Sequence, residues 1–134
     1  MIYLINSDTT TVLDGFMIMY GNAVDTTSNN SSPNNYGGGL LIEPTISNQT
    51  AKPKILNCIF KKNNAKCGGA ISLGKGYTTY HINPYIKNCN FINNKTVLQG
   101  GNGGAISIIG GNDNEETIFI RDCLFENNQS FFFH

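Results

Sequence analysis

Tryptophan is absent from this 134-residue sequence, arginine occurs once, and charged residues make up only 13% of it. So little charge argues against a compact helical domain, whose solvent faces are built largely from Lys, Arg and Glu. Nine cations balance nine anions and no basic stripe appears, so the electrostatic footprint of a nucleic-acid binder or of an anionic-membrane binder is missing. The longest apolar runs, "MIYLI" and "FMIMY", are far short of the roughly 20 residues that a membrane-spanning helix needs. The opening "MIYLINSDTT" has no basic stretch followed by an apolar one and a small-residue cleavage site, so no signal peptide is legible. No CxxC pair, His-x-x-x-His pair, P-loop or dinucleotide loop occurs, and no cofactor is expected.

What the chain has in excess is 20 asparagines and 15 glycines, residues that accept positive φ and sit in turns. They recur in register. "GGGLLI" from Gly37, "GGAISL" from Gly68 and "GGAISI" from Gly103 are followed by "NCIFKKN" around Cys58, "NCNFINN" around Cys89 and "DCLFENN" around Cys123, at 21, 21 and 20 residues from the first Gly to the Cys. A degenerate copy, "LDGFMIMYGNA", lies upstream, with Phe16 in the Cys place and Ile18 in the Phe place. The distance on to the next glycine run varies, 21, 10 and 14 residues. One fixed part and one variable loop per unit is the pattern of a solenoid with its insertions confined to a corner.

Inside the unit the apolar period is two, which indicates short strands. Ile71 with Leu73 and Ile106 with Ile108 are expected on one face, and Ala70, Ser72, Ala105 and Ser107 on the other. In the second motif Cys and Phe face one way, and the phase slips at Asn57, Asn88, Asp122 and Gly15, residue types that take a left-handed bend at low cost. Three strands per turn, with like positions stacked about 4.8 Å apart, predict an all-β, right-handed parallel β-helix of the pectin-lyase-like kind. It would be a single domain over 1–134, about four coils deep and open at its C-terminal end, and it reads as a fragment of a longer repeat protein.

The repeated residues then become columns. Cys58, Cys89 and Cys123 are expected as free core thiols, because stacked side chains run parallel and hold their Cβ atoms wider than a disulfide prefers; a bridge or a metal is the alternative. Phe60, Phe91 and Phe125 form an aromatic stack, each ring stabilising by about 1.5–3 kcal/mol when buried. Asn63, Asn94 and Asn128 end the strand, and their amides can hydrogen-bond from coil to coil. Calcium is not expected on "QGGNGGAISI", since Ala105 stands where a liganding Asp would be needed.

The "CxFxxN" and "GGAI" signatures resemble the repeats of the polymorphic outer membrane proteins and of the broader right-handed β-helix surface proteins, over nearly the whole chain. The resemblance implies a secreted, outer-membrane or cell-surface passenger region associated with adhesion, exported through a C-terminal barrel that this sequence does not contain.

Two functional classes follow. The first is a non-catalytic repeat segment of an adhesin-like surface protein whose outer face and loops bind a glycan or a cell-surface protein. The second is a module or remnant of a carbohydrate-active β-helix enzyme. In one outward column, Asp14, Leu56, Lys87 and Arg121, two cations fall on neighbouring coils where a sugar carboxylate could sit; the bland reading is a solvated face with the cations held apart by flexible stems. Tyr77, Tyr80 and His81 share a corner loop with Tyr85, a second place for ligand contact, and the polar insertion Val24 to Tyr36 is a third. Asn29, Asn30, Asn48, Asn94 and Asn128 begin N-x-Ser/Thr sequons, which matter only if a eukaryote exports the chain. Unpaired strands at either end predict end-to-end self-association, with Phe131, Phe132 and Phe133 folding over one end as a cap or left over from truncation.

Overall fold

The computed structural model describes residues 1–26, 32–46, 49–75, 81–97, 101–109 and 117–131. Four parallel sheets run the length of a β-solenoid, each taking strands from successive turns in chain order. The first contains Ile2–Ile5, Leu40–Glu43, Ile71–Leu73 and Ile106–Ile108. The second contains Val12–Asp14, Lys54–Leu56, Tyr85–Lys87 and Phe119–Arg121. The third contains Met17–Met19, Ile59–Lys61, Asn90–Ile92 and Leu124–Glu126.

The fourth sheet, Asn22–Ala23, Asn64–Ala65, Lys95–Thr96 and Gln129–Ser130, corrects the expectation of three strands per turn. The inner asparagines do not run out into loops; they sit at a corner, and a two-residue strand follows each. A further pair, Thr50–Ala51 with His81–Ile82, precedes the second sheet. His81 therefore belongs to a strand and not to a corner loop, because Ile82 is drawn into the core beside Ala51.

Three columns of left-handed residues bend each coil. Gly15, Asn57, Asn88 and Asp122 turn the second sheet into the third, and Tyr20, Lys62, Asn93 and Asn127 turn the third into the fourth. Gly37, Gly68 and Gly103 (φ 61°, 64° and 69°) lead into the first sheet. Gly68 combines a positive φ with a Cβ position only 2.2 Å from the Ile71 carbonyl oxygen, and a Cβ on Gly69 would lie 2.2 Å from the Gly104 carbonyl oxygen and 2.6 Å from the Lys95 nitrogen, so close backbone approach requires both glycines. The sharp turn also sends Ala70 and Ala105 inward with Ile71, against the expected alternation that put them beside Ser72 and Ser107.

The core is a set of columns. Leu40, Ile71, Ile55, Ile86, Phe60, Phe91, Cys58 and Cys89 are all buried in one cluster. The phenyl rings stack nearly parallel, Phe60 on Phe91 at 5.2 Å and Phe91 on Phe125 at 4.7 Å between centroids, which is offset stacking at coil spacing. The cysteines are free thiols. Each donates its S–H to the carbonyl two residues back, Cys58 to Leu56 at 3.1 Å, Cys89 to Lys87 at 3.3 Å and Cys123 to Arg121 at 3.1 Å. Each of these carbonyls already accepts a backbone N–H from the neighbouring coil, Leu56 from Gly15, Lys87 from Asn57 and Arg121 from Asn88, so the thiol occupies its second acceptor position.

The asparagine column is the most completely bonded. Asn94 Oδ1 accepts from the Asn63 backbone N–H and from Asn63 Nδ2, both at 3.0 Å. Asn94 Nδ2 donates back to the Phe60 carbonyl at 2.9 Å and forward to Asn128 Oδ1 at 2.9 Å. Asn63 repeats the pattern, accepting from Gly21 N–H and donating to the Ile18 carbonyl. Every donor and acceptor position of the central amide is used.

Both ends of the stack are uncovered. Ile120 and Phe125 occupy the inward columns yet are 39% and 48% exposed, where Ile86 and Phe91 one turn below are 0%. At the other end Leu13 and Ile18, in the same inward columns, are half-buried. Phe131 is 43% exposed, and Phe132 and Phe133 lie outside the described residues.

Two expectations follow. Replacing Asn94 with Ala leaves the buried Asn63 N–H and Nδ2 without their acceptor, and denaturant titration should register a loss of about 2–4 kcal/mol; Asn93→Gly, which keeps the left-handed bend, should stay within about 0.5 kcal/mol of the parent. Burial pushes the Cys89 thiol up to about 12 and raises Cys58 as well. A folded-state value raised in this way favours the neutral thiol, so its stabilisation is complete below the ordinary thiol range near 8.5 and is lost as pH climbs toward 12. Denaturation midpoints measured from pH 7 to 11 under reducing conditions should fall more steeply for the parent than for Cys89→Ala.

Candidate functional site

With the inward columns committed to winding, chemistry must come from outward positions. The second sheet presents two outward columns in strict register. One reads Val12, Lys54, Tyr85, Phe119 and the other Asp14, Leu56, Lys87, Arg121. Lys87 and Arg121 are thus direct cross-strand neighbours, an arrangement in which like charges destabilise a sheet. Tyr85 and Phe119, on the same two coils, form a tilted ring pair with centroids 6.2 Å apart. Among the described residues no carboxylate lies within ion-pair distance of Lys54, Lys87 or Arg121; the ion pair present is Lys75 with Glu43 at 3.5 Å. Asp14, which heads the second column, accepts from Asn57 Nδ2 at 2.7 Å, and Asn57 Oδ1 in turn accepts from Asn88 Nδ2 at 3.2 Å.

The other sequence-derived candidates are dispersed. Asn57, Asn88 and Asp122 lie on the exposed bend column between the second and third sheets. His81 is half-buried in its short strand opposite Thr50. Tyr77 and Tyr80 fall outside the described residues, as do Asn29, Asn30 and Asn48. The inner columns of Cys, Phe and Asn point into the core and are spent on coil-to-coil contacts; the Asn94 sequon therefore coincides with a fully buried amide.

One cluster has no counterpart in the sequence reading. The first sheet is buried on its outer face too, with Leu41 and Ser72 at 0% exposure; Tyr36 and Cys67, themselves bridged strand to strand, pack with Leu41, Tyr3 and Ile109 there. At its edge the Tyr3 hydroxyl donates to Glu43 Oε2, the same oxygen that Lys75 approaches. Burial, the hydrogen bond and the adjacent carboxylate together hold the Tyr3 phenol well above its ordinary value. Tyr3, Glu43 and Lys75 come from three successive turns, and no repeated spacing in the sequence marks them. Ser107 Oγ, on the same outer face, and Ser7 Oγ and Asn83 Oδ1 elsewhere are buried without a hydrogen-bond partner among the described residues. Among those residues, too, no three His, Cys, Asp or Glu side chains converge as a metal site would require.

A family model described as the Chlamydia polymorphic membrane protein repeat matches residues 88–109. No curated protein and no solved structure matches the chain. The matched stretch begins at the bend residue Asn88, runs through Cys89, Phe91 and Asn94, and closes on the glycine doublet and the strand Ile106–Ile108. Residues 88–109 are thus similar to a polymorphic membrane protein repeat, and they are wound as one stretch of a parallel β-solenoid.

Proposed function

We propose that the chain is a non-catalytic repeat segment of a secreted or outer-membrane, adhesin-like surface protein, whose inner columns hold up an outer face and corner loops for binding. The observation that carries this reading is where the family match falls. Within 88–109 the bend, the thiol, the ring, the amide and the glycine doublet all serve the winding of a coil. The outward positions differ from coil to coil, Val12, Lys54, Tyr85 and Phe119 in one column, while the inward column beside them reads Leu13, Ile55, Ile86, Ile120. Uniform inside and varied outside is how a scaffold separates folding from recognition.

The test pairs two measurements on the intact chain. Labelled protein should bind cultured epithelial cells saturably, while polygalacturonate incubated with it, with and without calcium, keeps its chain length. Shortening of the polymer that disappears in Lys87→Ala would replace this proposal with a polysaccharide-cleaving enzyme.

A further inference from the structure

The structure assigns to the outer face of the second sheet a binding site for an acidic polysaccharide, an inference that rests on the binding role proposed above and names its ligand. Three observations converge on this face. The first is a cost without a compensating partner: Lys87 and Arg121 stand directly opposite each other, with Lys54 in the adjoining outward column and no carboxylate paired to any of them among the described residues. Juxtaposed like charges weaken a sheet, and an anion laid across them turns the repulsion into attraction. Among the described residues Asp14 heads the column two coils below Lys87, engaged by Asn57, and Asp122 lies on the bend column; Asp113, Glu115 and Glu116, which precede Phe119 in the chain, lie outside the described residues.

The second is the aromatic pair. Tyr85 and Phe119 precede Lys87 and Arg121 by two residues on the same strands, so the rings and the cations form a two-by-two grid about 4.8 Å along the solenoid axis and about 6.6 Å along the strand. A pyranose ring presents an apolar C–H face that covers an aromatic ring, while its carboxylate or sulfate substituent projects sideways. The grid offers both partners at the separation of one sugar ring.

The third observation separates a glycan from an acidic peptide. Peptides are commonly captured through backbone pairing at a sheet edge or in a groove. On this lateral face Tyr85–Lys87 is paired on both sides, to Lys54–Leu56 and to Phe119–Arg121, so a chain laid across it meets side chains; Phe119–Arg121 is itself paired on one side only among the described residues, and polyglutamate tests whether a peptide takes that edge instead. A polymer whose charges sit on rigid rings is suited to that surface.

The test uses the full chain with immobilised polygalacturonate (carboxylated), heparin (sulfated) and dextran (neutral), by biolayer interferometry at low and physiological salt. We expect binding to at least one acidic polymer and none to dextran, weakening several-fold with salt as exposed charges are screened. Lys87→Gln with Arg121→Gln should lower affinity at least ten-fold and Phe119→Ala about three- to ten-fold, with Lys95→Gln on the fourth sheet as the charge control. Binding to neither acidic polymer, equal loss with Lys95→Gln, equal capture of dextran, or tighter capture of polyglutamate would each overturn the inference. Cell binding measured on the same double variant separates the two claims. Adhesion that persists undiminished sinks this site and leaves the adhesin reading standing; absence of adhesion in the parent sinks that reading.

Discussion

A buried primary amide has two donor and two acceptor positions, and leaving one empty inside a protein costs about 1–3 kcal/mol. Asn63 and Asn94 meet that requirement only if the coils above and below sit at a single height and a single rotation, because each Nδ2 must reach back to one coil and forward to the next. The amide column therefore acts as a gauge. Once it sets the spacing, Phe60, Phe91 and Phe125 can stack within 10° of parallel, and each thiol comes within reach of its bend carbonyl. A one-residue slip in any coil would strand an amide, separate a ring pair and turn an outward lysine into the core.

The repeating columns were legible in the sequence because a solenoid places chemically identical environments at regular chain intervals, so packing reappears as spelling. What escaped the reading was whatever lacked that recurrence. The fourth sheet is written "NA", "NA", "KT" and "QS", two-residue strands too short to show a period. Ala70 points inward because a tight turn resets the alternation, and a turn's geometry leaves no mark on hydropathy. Tyr3, Glu43 and Lys75 meet once, on one face, across three turns; a contact that occurs once has no spacing to betray it. His81 was drawn toward the loop by its neighbours Tyr77 and Tyr80, whereas Ile82 ties it to a strand.

The same logic separates what the inside and outside of the stack can do. Inward residues are determined by the residue above and below, so a column tolerates only side chains of matching size and hydrogen-bonding capacity. Outward residues are bounded by strand pairing alone, and their cost is limited to cross-strand terms of roughly 0.2–1 kcal/mol. A pair such as Lys87 and Arg121 can be carried at that cost, since Ile86 and Phe91 on the coil of Lys87 are fully buried. Recognition is thereby decoupled from folding, coil by coil.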